Sequence, residues 1–260
     1  MAENPNEKIK ILRLAESYVP SAIYNQFKEG VEEIFSPKIK SSAEEHNPKD
    51  YILLEGRAHG SYEYPDILIA QERGLQNKNW NQAQEALHTE GKFMPTIRQY
   101  VDFLSDLRSG KKLYTGDGKK LAQQKRASIL DDIIKVRDPW RAEWFDAFFS
   151  KQGEQFYIAY HKFNSAGKLE QVQEPLQECL MQDKTPGIDL EDWLQNANEQ
   201  GLPSPKINQG SLYYWTPRDG RVAVFGAVSD RAGLDCDWGP LGSDSALGVR
   251  AGISAEGAKK

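Results

Sequence analysis

Apolar positions along the chain fall into a few readable periods. Ile23, Phe27, Val31 and Phe35 recur every fourth residue within a Glu-, Lys- and Asn-rich opening, a spacing that keeps them near one side of a helix. The pattern predicts a docked helical arm over residues 1–48. Two apolar runs, Tyr51–Leu54 and Ile67–Ile69, read as strands, and the Gly56–Ser61 segment between them, with two glycines bracketing three other residues, reads as a turn.

Helical periods follow. In Pro95–Leu107, Ile97, Tyr100, Val101, Leu104 and Leu107 share a face, and Thr96 with Gln99 three residues on makes a capping box. Helices are also predicted over Ile129–Val136 and Trp140–Phe149, the second because Asp138 before Pro139 supplies an N-cap and a first-turn proline. Phe156–Phe163 alternates as a strand, Asn164–Lys168 is a hairpin turn, and a partner strand starts near Leu169. Asp189 caps a helix through Leu190, Trp193, Leu194 and Ala197, which Gly201 and Pro203 stop. Leu212–Trp215 opens a last β region. There Val222–Val228 alternates, so Phe225, between Ala223 and Ala227, is expected in the core, with Val224, Gly226 and Val228 on an exposed face. The alternative is a strand covered on both faces. Beyond Ser229 the Gly, Asp, Pro and Ser content predicts an irregular surface loop, where binding residues tend to concentrate.

Composition then narrows the class. The chain has 260 residues, 39% apolar and 27% charged, which is globular rather than disordered. A net charge of −5 argues against a nucleic-acid surface, and the short basic runs at Lys111–Lys112 and Lys119–Arg126 read as a solvated face. No run approaches the roughly 20 apolar residues of a membrane span. The first residues lack a hydrophobic segment of signal-peptide type, so Sec-type export is not expected; the display site is left open. Cys179 and Cys236 offer neither a disulfide framework nor a metal pair. His46, His59, His88 and His161 show no metal-ligand spacing. Asp230, Asp235, Asp237 and Asp244 invite a calcium reading, but they form no recognisable ligand motif. Neither a nucleophile elbow nor a phosphate loop nor a dinucleotide fingerprint is present, so neither an enzyme nor a bound cofactor or metal is expected.

The most specific signal is the tail itself. Ala223, Phe225, Ala227, Ser229, Ala232–Leu234, Cys236, Pro240, Ser243, Ser245 and the closing Leu247–Arg250 form one set. Interleaved with them stand Arg221, Val224, Gly226, Val228, Asp230, Arg231, Asp235, Asp237, Leu241, Gly242 and Asp244, which share no chemistry. This layout resembles the variable region of the target proteins of diversity-generating retroelements, in which an error-prone reverse transcriptase rewrites adenine-containing codons on a constant scaffold. The resemblance implies an α+β, C-type lectin-like fold of the branch shared with formylglycine-generating enzymes, with few short strands, helices and long irregular segments. The Phe93–Phe103 segment and the Gly-Val-Arg-Ala-Gly close are similar to that branch, although the closely placed cysteines of its enzymes are absent.

On this reading residues 49–260 form the lectin-like domain and about 215–250 its variable region. The interleaved residues are the candidate ligand-binding positions; Phe225, Ser243, Gly248 and Arg250 belong to the scaffold. Rewriting an Asn-type codon at its adenines cannot yield Trp, so Trp238 joins the candidates on physical grounds, as an indole in a Gly-Pro loop. The implied function is binding of a protein or surface ligand through a diversified face, in a chain that could be oligomeric. The alternative is a structural component, for instance of a viral particle, that uses the same tail as a subunit contact.

Overall fold

A computed structural model describes residues 46–255. The chain divides into two compact units, Met1–Ser42 and Ala43–Lys260, and the described residues belong to the second. The expected helix through Ile23, Phe27, Val31 and Phe35 lies outside the described residues.

In chain order the described elements are β1 (Tyr51–Leu54), β2 (Arg57–His59), β3 (Tyr62–Tyr64), β4 (Ile67–Ala70), α1 (Trp80–Thr89), α2 (Ile97–Arg108), α3 (Gln123–Ile134) and β5 (Arg141–Gln152). There follow β6 (Gln155–Phe163), β7 (Leu169–Pro175), β8 (Lys184–Ile188), α4 (Leu190–Asn196), β9 (Leu212–Trp215), β10 (Arg221–Ala227), β11 (Ala232–Trp238), β12 (Leu247–Gly248) and β13 (Gly252–Ser254). The fold is mixed α and β, with more strand than helix.

An eight-stranded sheet runs β7-β6-β5-β10-β11-β9-β8, with β12 pairing beside β5. The end of the described chain returns to a second sheet, where β13 pairs with β4 and β4 with β1. One face of the large sheet packs Phe145, Phe149, Ala223, Phe225, Leu234 and Cys236 against Tyr100, Leu104, Ile129 and Trp193 from the helices. The opposite face buries Ala142, Trp144, Val222 and Val224 against Trp80, Ala83 and Leu87 of α1 and against Leu247 and Val249.

Two helices start where the chemistry demands. Thr96 accepts from the Gln99 N–H while the Gln99 side chain accepts from the Thr96 N–H, and Asn79 with Gln82 repeats that box at α1.

Three expectations are corrected. Trp140–Phe149 is not a helix; from Arg141 on it is the start of β5, a twelve-residue strand. From Arg141 to Ala147 every residue of it is buried, because β5 is central and covered on both sides, and its two-residue alternation lasts only from Trp140 to Trp144 before Phe145 breaks it. Residues 232–238 are not irregular loop but β11, paired on one side with β10 and on the other with β9. The strands are neither few nor uniformly short, since these long central strands knit one wide sheet.

Arg250 holds the sheets and a helix together. It is 1% exposed. Its Nε and Nη2 donate to the two Glu143 carboxylate oxygens at 3.2 and 2.8 Å, Nη2 also to Asp132 at 3.2 Å, and Nη1 to the Ala70 and Gln71 carbonyls. Burial alone would lower its pKa, but the Glu143 carboxylate more than offsets this and holds the guanidinium charged.

A candidate ligand cleft on the central hairpin

The β10–β11 hairpin occupies the middle of the large sheet, and its alternation sorts residues between two layers. Ala223, Phe225, Leu234 and Cys236 enter the core below. The Phe225 ring stacks on Trp193 at 6.1 Å with planes 11° apart. On the other face Val224 lies opposite Asp235, and Gly226 opposite Gly233. Val222 pairs with Trp238, so the single residue Ala223 faces both Cys236 and Asp237, a β-bulge. That extra residue lets Asp235 and Trp238, three apart in sequence, open onto the same cleft.

The cleft has a volume of about 340 Å³. Val224, Gly226, Val228, Arg231, Asp235 and Trp238 line it together with Trp140, Ala142, Trp215 and Gly233. The Trp140 and Trp238 rings stand 6.0 Å apart with planes tilted by 38°. Toward the hairpin tip the Arg231 guanidinium lies over the rings of Tyr213 and Trp215, 5.1 and 5.8 Å from their centroids, and reaches both Asp230 oxygens at 3.0 Å.

Asp235 is the only carboxylate lining the cleft. It accepts the Asp237 N–H at 2.8 Å and, among the described residues, forms no ion pair. Burial pushes its carboxyl up to about 6; the Asp237 N–H and the Arg218 charge work against this, and the charges of Asp237 and Asp183 add to it.

Six of the candidate positions therefore share one cavity. Asp230 adjoins it through Arg231, and Gly242 lies against the Trp238 indole, where a Cβ would stand 3.2 Å from Nε1. Arg221 and Asp237 do not line it; they form an ion pair at 3.3 Å, with Arg218 bridging Asp237 and Asp183 at 2.7 and 2.8 Å. Leu241 and Asp244 belong to the loop after β11, where Leu241 is 75% exposed. The Asp244 carbonyl accepts from Asn77 N–H.

Some placements differ from expectation. Val224 is not exposed but 2% accessible, because α1 and the returning C-terminal segment cover its end of the sheet. Gly226 and Val228 are half-buried cleft wall. Ser243, expected in the scaffold, is exposed in the loop and packs in no core; backbone hydrogen bonds such as Gly242 N–H to Gly239 O hold that turn instead. Phe225 and Gly248 are buried, and a Cβ on Gly248 would strike the Gly74 carbonyl at 2.5 Å.

The sequence pattern alone did not point to Trp140, Ala142, Trp215 or Gly233 as cleft residues. A usable signal existed in the two-residue spacing of Trp140, Ala142 and Trp144, hidden by the helix reading of that segment.

Elsewhere the ionisable groups are structural in their contacts. Asp102 gathers Tyr64 Oη at 2.6 Å, Arg98 at 2.7 Å, His59 Nε2 at 2.8 Å and Arg57 at 3.3 Å, pinning the β2–β3 hairpin to α2. Both cysteines are buried; burial pushes the Cys179 thiol up to about 12 and the Cys236 thiol well above its usual value, the opposite of an activated nucleophile. No group of three or more metal-ligating side chains occurs among the described residues, and no helix there is long and apolar enough to cross a membrane. No protein-family model, curated protein or solved structure matches the chain.

Proposed function

We propose that this is a ligand-binding protein whose residues about 215–250 carry a diversified surface on a C-type lectin-like scaffold, as in the variable proteins of diversity-generating retroelements. One observation carries the reading. Positions with no common chemistry, Val224, Gly226, Val228, Arg231, Asp235 and Trp238, converge on one cleft, while residues interleaved with them, Ala223, Phe225, Leu234 and Cys236, are buried in the opposite layer. A binding surface needs its contacts gathered around a few anchors, and indoles in a concave site are typical anchors.

The test lies in DNA. A near-copy of the codons for residues 215–250, differing at adenines and lying beside a reverse-transcriptase gene, is expected in the source genome. A locus lacking both overturns the diversification reading. At the protein level, replacing Val228, Asp230, Arg231, Leu241 and Asp244 together by Ser, Asn or Tyr is expected to preserve the circular dichroism spectrum and abolish binding to a ligand recovered by the natural protein.

Leu241, 75% exposed in the loop after β11, is the residue on which a second reading turns, a subunit contact in an assembly. Sedimentation separates the two, since Leu241→Ser dissociates such an assembly and leaves a monomeric receptor unchanged.

A further inference from the structure

We infer that the Trp140–Trp215–Trp238 cleft takes an alkylated ammonium group, with Asp235 as its counter-charge. The inference deepens the ligand-binding reading and rests on it.

Charge balance makes the first argument. Three arginines around the hairpin already have anions: Arg231 has Asp230, Arg218 has Asp183 and Asp237, and Arg221 has Asp237. Asp235 has no cation in ion-pair range among the described residues, although it lies on the wall of a cavity whose one other charged lining residue is Arg231. A carboxylate held short of water without a partner is costly, and an incoming cation removes that cost. An anionic ligand would meet Asp235 directly and find its only basic contact, Arg231, taken.

Aromatic walls make the second. Indole faces attract cations, most strongly where water is excluded. The chain already seats a cation on this surface, the Arg231 guanidinium over Tyr213 and Trp215. Trp140 and Trp238, which also line the cleft, have no cation over their rings among the described residues.

Cavity chemistry then selects the kind of cation. A hard metal ion wants at least six oxygens, and the cleft offers one carboxylate. Val224, Ala142, Gly226 and Gly233 line the rest, so the group must carry apolar substituents around its charge. A volume of about 340 Å³ is at the small end of the roughly 300–1,000 Å³ of ligand pockets, room for a small molecule or one side chain.

Choline and its neutral isostere 3,3-dimethylbutan-1-ol provide the probe pair. Titrated against the full chain at pH 7.5, with indole fluorescence and side-chain NH resonances of the tryptophans as readout, choline is expected to bind at least roughly tenfold more tightly than the isostere. Asp235→Asn, which keeps the shape, is expected to erase that preference; Trp140→Phe, milder than truncation, is expected to weaken choline alone. A choline headgroup on a lipid is distinguished from the free molecule by repeating the titration with phosphatidylcholine vesicles.

Equal binding of the two probes, or a preference that survives Asp235→Asn, overturns the cation assignment. So does absence of choline binding in a folded protein. Neither result touches the diversification reading, which stands or falls on the genomic repeat.

Discussion

Arg250 illustrates how one side chain decides more than its size suggests. Its guanidinium is shared by β5, α3 and the end of β4, and its two bonds to Glu143 are buried. Arg250→Ala leaves the Glu143 carboxylate buried without its main partner, so the expected loss is about 3–5 kcal/mol, seen as a lower midpoint in chemical denaturation. An unchanged midpoint would show the network to be dispensable.

Asp235 works in the opposite sense. Its folded-state carboxyl is raised to about 6, above the ordinary carboxylate value, so the fold disfavours its ionised form. Its cost is therefore fully present above pH 6 and fades as pH falls toward 4, where both folded and unfolded chains are protonated at this group. Asp235→Asn should unfold at a higher temperature than the natural protein at pH 7, and the gap should close by pH 4. A gap independent of pH would mean that Asp235 is ionised freely in the fold.

At the scale of elements, the two faces of β10 should both resist change, for different reasons. Phe225→Ala removes a ring stacked on Trp193 and should cost about 3–5 kcal/mol. Val224→Ser leaves a hydroxyl in the α1-side layer and should cost about 1–3 kcal/mol. Leu241→Ser, in the loop, should stay within about 0.5 kcal/mol of the natural chain. Equilibrium unfolding of the three variants checks the order.

These elements were unequally legible in the sequence. α2 was readable because local chemistry and long-range packing agree there: the Thr96–Gln99 box and the apolar stripe point to the same turns. β6 and β7 were readable as an edge hairpin because one face meets water and the alternation survives. β5 was misread because Arg141–Ala147 is buried on both faces, and once alternation is gone the Asp-Pro pair before it imitates a helix start. β11 looked like loop since its glycine and two aspartates run on into the Gly-, Pro- and Ser-rich stretch beyond, yet its Gly233 is required, a Cβ there standing 2.8 Å from the Tyr213 carbonyl across the parallel pair. Of the cleft, most of the hairpin side was legible through the layout of the tail; Trp140 comes from a distant segment and Trp215 from β9, and only the strand order brings their side chains in.

For the molecule as a whole, the chain end is a fastening. β12 pairs with β5 and β13 with β4, so Leu247–Ser254 stitches the large sheet to the small one, with Arg250 between the two stitches. The loop carrying Leu241 to Asp244 hangs between two fixed points, Trp238 on β11 and Leu247 on β12, and its exposed Leu241 side chain can change without loosening either.

The alternation of β10 has one more consequence, which concerns spelling rather than packing. Because its neighbours lead to opposite layers, an inserted residue shifts every later side chain to the wrong side, driving Gly226 and Val228 toward the Phe225 core and turning Phe225 out. One serine inserted after Val224 should abolish cooperative unfolding, where substitutions at the cleft wall should not. The open positions of this hairpin can be rewritten one at a time, but a residue added within β10 shifts its faces, so any process that diversifies it must copy the frame faithfully while it corrupts the text.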